Sequence, residues 1–204
     1  KLKQADRERS LQILMRVNLL KRLESSVDSF RITLTKIVGL IDNTINEIDK
    51  FEKYGSNAEL DEFELTEFEE DEDINNDFQI GKKVKINLKD MNIIGWKREL
   101  SLDREVLKNL LQEFSKIKPE NDLKLIELIN TVRNKIDNPI NEENKKVIIF
   151  SAFADTANYL YENLSKVIKI EYGLDTALIT GSGTNRCTMN IDKDYNNLLL
   201  NFSP

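Results

Sequence analysis

The chain has 204 residues, 30 Lys and Arg against 36 Asp and Glu, 40% hydrophobic side chains, one Cys and no His, enough for one domain with an appendage or two small ones around a real core. The missing His excludes Ser-His-Asp and Cys-His nucleophile systems and imidazole metal ligands, and the single Cys187 excludes an intrachain disulfide or a Cys-based zinc cluster. A net charge of −6 and a pI near 5.0 weigh, for the chain as a whole, against a nucleic-acid partner. No apolar run is long enough for a bilayer and no signal peptide is visible, so the chain reads as cytoplasmic, with no membrane partner. It starts at Lys1 without Met and stops just past a helical pattern, which reads as a piece of something longer.

Residues 7–51 carry apolar side chains at helical spacing, from Leu11 and Leu14 through Phe30 and Leu34 to Ile45 and Ile48. The pattern predicts one long amphipathic helix, or two with a break near Ser25-Ser26 or Gly39. Its first part is basic, with 9 Lys and Arg against 4 acids over residues 1–36. Lys21 and Arg22 are candidate phosphate contacts, although cations on a long helix usually form a solvated face.

Residues 57–77 hold 11 acids and no base. The remaining chain has 25 acids against all 30 basic residues, so −6 is −11 from one tract set against +5 elsewhere. With Phe63, Leu65 and Phe68 interspersed, the tract reads as a solvated or disordered connector. The functional alternative is an acidic arm folded over a basic face in place of DNA. Asp61-Glu62-Phe63-Glu64 has the look of a magnesium-binding DEAD-type motif, but a turn-like stretch precedes it where a buried strand is required.

Residues 83–88 alternate and predict a short strand or extended connector. Ser101 or Asp103 is expected to cap a helix that Pro119 ends, and Trp96 to act as a packing anchor. Asp122 caps the next helix, which closes at Asp137-Asn138-Pro139.

The apolar run 146–150 reads as a strand buried on both faces. A helix follows over 155–165, then a second strand over 176–180, the loop 181–186 and a last helical pattern around Leu198 and Leu199. Strand, helix, strand predicts a βαβ unit with a parallel pair and with ligands at the strands' carboxyl ends, loops 151–154 and 180–186. Two strands alone do not make a stable sheet, so the unit reads as the opening of a larger lobe. The fold class expected is thus mixed α/β and mostly helical. A long N-terminal helix or helix pair (1–56) precedes the acidic connector (57–80), a helical segment packing on the long helix (81–140) and a partial parallel α/β lobe (141–204).

Motifs that carry chemistry are few. The chain has no GxxxxGK[S/T] and hence no independent ATP site, and Gly181-Ser182-Gly183 has two of the three glycines of a dinucleotide fingerprint. The 180–186 loop does offer backbone N–H groups, the Thr180 and Ser182 hydroxyls, and Arg186. Such a set suits a phosphate oxygen, or forms an ordinary polar loop.

"KVIIFSAFADTANYLYENL" at 146–164, with "TALITGSGTNR" and "YNNLLLNFSP" after it, resembles the start of the second RecA-like lobe of Swi/Snf-type superfamily-two helicases. "VNLLKRLESSVDSFRITLTKI" is similar to the helix that links the two lobes in bacterial members, and "ELSLDREVLKNLL" and "DLKLIELI" to segments before lobe two. The resemblance covers most of the chain except the acidic tract. It implies part of an ATP-driven translocase on nucleic acid, double-stranded DNA above all. Ser151 and Ala152 of motif IV, with Thr180, Gly181, Ser182 and Arg186, would face the backbone of the tracking strand. It also implies lobe one of the same parent as a partner. ATP and Mg would be cofactors of the parent, and none would bind here, since the lobe-one motifs and motifs V and VI are absent. The chain alone is then expected to be inactive, without catalytic residues. The alternative is a non-enzymatic helical interaction or scaffold module, its long helix docking a partner.

Overall fold

A computed structural model of the chain describes residues 4–54, 59–60, 86–88, 92–181 and 185–203. The described residues are mostly helical, with two short two-stranded ladders. Six helices appear: α1 (Gln4–Ser25), α2 (Val27–Tyr54), α3 (Ile93–Phe114), α4 (Leu123–Asp137), α5 (Ala154–Tyr172) and α6 (Tyr195–Phe202). The strands are β1 (Glu59–Leu60), β2 (Ile86–Asn87), β3 (Ala177–Leu178) and β4 (Arg186–Cys187). None of these helices is long and apolar enough to cross a membrane.

The predicted long helix breaks once, at Ser26. There the Ser26 N–H still donates to the Arg22 carbonyl at 3.0 Å, while the Ser26 hydroxyl accepts from the Ser29 N–H at 3.0 Å. A serine hydroxyl that satisfies the third amide of the following helix is an N-cap, so Ser26 starts α2 where α1 ends. Gly39 passes without a break.

The chain divides into two compact units. The first joins Lys1–Lys21 to Phe30–Lys116. In it, Ile48 of α2 and Leu88 after β2 are wholly buried, with Phe51, Ile93, Trp96 and Leu100 packed against them. Trp96 is thus a packing residue, as its isolation in the sequence implied. Phe30 meets Phe114 edge-on at 4.9 Å between ring centres. Lys97 pairs with Asp49 and Glu52, and Arg104 and Lys108 pair with Asp42, along the α2–α3 flank. Helix α3 begins eight residues before the expected cap: Asn92, not Ser101 or Asp103, accepts the Gly95 N–H at 3.1 Å. The Ser101 hydroxyl is instead absorbed inside the helix by the Lys97 carbonyl.

The expected strand at 83–88 is realised as β2, which pairs antiparallel with β1 (Glu59 opposite Asn87, Leu60 opposite Ile86). Apart from Glu59 and Leu60, the acidic tract and its anticipated disorder lie outside the described residues.

The second unit joins Arg22–Ser29 to Ile117–Pro204. Its core is the seam of α4 and α5, where Val132, Ile136, Leu164 and Ile168 are buried and Leu128, Leu160, Val147 and Leu174 pack around them. Asp122 caps α4 as its position predicted, accepting from the Lys124 and Leu125 amides at 3.0 and 3.2 Å. Helix α5 runs to Tyr172, where Gly173 takes the left-handed conformation (φ 67°) and returns its N–H to the Lys169 carbonyl. A left-handed residue is what closes the last turn, and only glycine adopts it without a Cβ penalty.

The predicted parallel βαβ pair is not what forms. Residues 146–150 are extended without a strand partner among the described residues, and Phe150 is 90% exposed and Ile148 61%. Of the second predicted strand only Ala177 and Leu178 pair, and they pair antiparallel with Cys187 and Arg186 in a local hairpin. A strand buried on both faces needs neighbours at each edge and helices above and below. Without them the hairpin closes the shorter loop and is the pairing with the smaller entropy cost. A RecA-like lobe is therefore not seen in the fold.

Two consequences are measurable. Gly39 lies exposed inside α2, and no atom stands within 4 Å of where its Cβ would be. Gly39→Ala is expected to raise stability by about 0.5–1 kcal/mol, read as a higher denaturation midpoint. In the second unit, Arg133 forks onto Glu171 and holds that carboxyl below its ordinary value of 4.5, while Lys169 and the Thr188 hydroxyl hold Asp175 below 3.8. A folded pKa below the unfolded one contributes stability above the ordinary value and loses it as pH falls through the folded value. Urea midpoints should therefore decline from pH 5 towards pH 3, with a shallower decline in Glu171→Gln.

Candidate functional site

The chain's densest buried polar cluster joins residues about 130 positions apart in sequence. Arg22, on the last turn of α1, is 2% exposed. Its Nη1 lies 3.1 Å from Asp155 Oδ2 and donates to the Ser29 hydroxyl at 3.2 Å, and its guanidinium carbon sits 4.7 Å from the centre of the Phe153 ring. Asp155 stands in the first turn of α5, where the helix dipole already favours a carboxylate. Ser29 is fully buried and Thr156 nearly so. The Thr156 hydroxyl shares hydrogens with Ser25 at 2.8 Å and Ser26 at 2.9 Å.

Two more residues tie the same place to α4. Lys124 reaches the carbonyls of Glu24 and Ser25, neutralising the carboxyl end of α1. Asp122 divides its carboxylate between the cap of α4 and the Tyr159 hydroxyl of α5, 3.0 Å away and buried with it. The eight residues Arg22–Ser29 are thus bound to the start of α5 by a charged pair, a cation–π contact and shared hydroxyl bonds.

The predicted phosphate contacts fall into three groups. Arg22 is withdrawn from the list: a guanidinium buried against Asp155 and Phe153 is not presented to a phosphate. Lys21, one residue earlier, is exposed. Ser151 and Ala152 are exposed in the turn before α5. There Ser151 Oγ accepts the Phe153 N–H at 3.1 Å and lies 3.0 Å from the Phe153 carbonyl as donor. Thr180 is half-buried and Gly181 exposed at the end of the β3 segment, and Ser182 lies outside the described residues. Arg186 on β4 faces α5, 4.7 Å over the Tyr161 ring and 3.1 Å from Glu162. Burial raises the Tyr161 hydroxyl's pKa, against a smaller opposing pull from Arg186.

Asp155, Thr156, Phe153 and Ser29 did not stand out in the sequence. Each is an ordinary helix-start or helix-interior residue, and only the KRLESS and FSAFADTA segments taken together hint that they meet. Cys187 is a half-buried free thiol. No group of three or more His, Cys, Asp or Glu able to hold a metal occurs among the described residues. No protein-family model matches the chain, and neither does any curated protein or solved structure.

Removing Arg22 leaves Asp155 partly buried and Ser29 and Phe153 without their cation. Arg22→Ala is expected to cost about 3–5 kcal/mol, as for other broken buried pairs. The neighbouring Lys21→Ala should stay within about 0.5 kcal/mol, the range of exposed substitutions. Equal effects in a urea titration would mean that Arg22 is not held as described.

Proposed function

We propose that the chain is part of a bacterial Swi/Snf-type superfamily-two translocase, cytoplasmic, acting on double-stranded nucleic acid and most simply on DNA. In this reading it supplies the helices between the lobes and the first backbone-contacting loops of lobe two. The observation that carries it is the Arg22–Ser29 cluster. The two segments on which the family resemblance rests, KRLESS and FSAFADTA, are joined by a buried ion pair and by shared hydroxyl bonds. An inter-lobe helix has to be anchored to the lobe it serves, and contacts of this kind do that.

The exposed apolar run 148–150 supports the same reading. Residues of this composition suit a strand of a larger parallel sheet, and here they lie uncovered. The partial RecA-like lobe belongs to this proposal, with further strands of the parent protein completing the sheet. Ser151, Ala152, Thr180, Gly181, Ser182 and Lys21 are the backbone contacts that remain in the proposal. Arg186 joins them if it leaves Glu162. ATP, Mg and the arginine finger belong to the parent's other motifs, with lobe one as the intramolecular partner.

A helical scaffold module is the second reading, favoured by the apolar side chains that α1 exposes, Ile13, Val17 and Leu20. They recur at i, i+4 and i+7 and form one stripe. A stable dimer through α1 in a sedimentation experiment, abolished by Leu20→Asp, would favour the module over the motor.

The motor reading predicts no ATP hydrolysis by the chain alone, with or without duplex DNA. It predicts weak duplex binding whose affinity falls steeply with salt, since phosphate contacts act through counterion release. Deleting residues 57–77 takes away eleven negative charges and should strengthen that binding. An affinity that ignores both salt and the deletion would refute the phosphate contacts.

A further inference from the structure

We propose that Arg22 is a positioning residue for the exposed Ser151–Ala152 turn, acting through the ring and backbone of Phe153. Three contacts form the chain of action. The guanidinium of Arg22 lies on the Phe153 ring at 4.7 Å, and the ion pair to Asp155 and the bond to Ser29 hold it there. Phe153 in turn brackets one hydroxyl: its N–H donates to Ser151 Oγ at 3.1 Å, and its carbonyl accepts from the same oxygen at 3.0 Å. Phe153 also occupies the N-cap position of α5, and it makes no side-chain cap bond.

A phenylalanine is a poor N-cap, because it offers no oxygen to the free amides of the first turn. Something other than capping must therefore fix it at the helix start. The stacked cation does so, because a cation over a desolvated ring resists displacement in every direction except along the ring plane. Asp155 and Ser29 oppose sliding along that plane. The Ser151 hydroxyl, whose partners both belong to Phe153, takes its orientation from the same anchor. Arg22 thus contributes from the buried side what the sequence assigned to it from the exposed side: it orients a group able to meet a phosphate and does not itself meet one.

The task given to the turn rests on the translocase reading, whereas the positioning rests on the contacts, and the two can fail separately. The whole 204-residue chain, labelled with nitrogen-15, is followed by amide hydrogen exchange. Arg22→Met keeps the apolar stem and removes the cation. It should lower protection of the Phe153 amide by about three- to tenfold, the scale of a lost cation–π contact. Protection of Val132 and Ile136 in α4 should not change. Phe153→Leu should loosen the Ser151 turn to a similar extent, and combining it with Arg22→Met should add little. If Arg22→Met does not fold, Arg22→Lys keeps a charge near Asp155 without the planar guanidinium and should give a smaller loss confined to the same amide.

An unchanged Phe153 amide in both Arg22 variants overturns the proposal. So does a loosening spread evenly through α4 and α5, which would make Arg22 a general stabiliser. Duplex-DNA binding by Ser151→Ala tests the other reading alone. No change in binding there removes the turn from the nucleic-acid interface, and the exchange result still decides whether Arg22 positions it.

Discussion

A guanidinium cannot leave water unless charge and hydrogen-bond acceptors replace what water provided. Arg22 does leave it, and most of what is distinctive about the second unit follows from how it is accommodated. Asp155 supplies the opposite charge, Ser29 an acceptor and Phe153 a polarisable face. For these to meet, the α1–α2 break must fall at Ser26, α5 must begin at Ala154, and the serines on either side of the break must reach Thr156. Lys124 and Asp122 then bring α4 to the same place. A buried pair of this type is not an efficient source of stability compared with an apolar contact of equal size. What it does well is to admit a single arrangement, since any other leaves a charge buried alone.

The apolar seam of α4 and α5 provides the second unit's hydrophobic energy, and the polar cluster sits at its amino-terminal end. The two differ in tolerance. A seam of Val, Ile and Leu accepts neighbouring volumes at modest cost, whereas the cluster depends on donors and acceptors in fixed places. The Arg22–Ser29 stretch makes no large apolar contribution of its own. Its membership in the second unit is a matter of hydrogen bonds and one ion pair, which explains why eight residues of a long helical hairpin belong with a domain that resumes at Ile117.

The helices were largely legible in the sequence, for local reasons. Apolar spacing located α1, α2 and α4, Asp122 and Ser26 are capping residues, and Gly173 closes α5. The start of α3 was misplaced because Asn92 caps as well as Ser101 does, and a serine inside a helix can bond back to its own turn. The parallel strand pair failed for a different reason. An apolar run such as 146–150 has the composition of a buried strand, but a strand is defined by its neighbours, and composition does not supply them. The candidate site divides in the same way: the exposed turn at Ser151 was legible, while the burial of Arg22 was not, because a cation looks the same in sequence whether water or a carboxylate faces it.

By itself, then, the sequence determined where helices start and stop, the split between an acidic tract and a mildly basic body, and the absence of His- and Cys-based chemistry. These depend on residue type and on spacing of a few positions. The tertiary structure alone decided that Arg22 is internal, that Phe153 and Asp155 receive it, and that Ala177 and Leu178 pair backward with Arg186 and Cys187. Those outcomes depend on which desolvated groups find partners across the chain, and whether a buried charge or a strand edge is satisfied is settled only when distant segments meet.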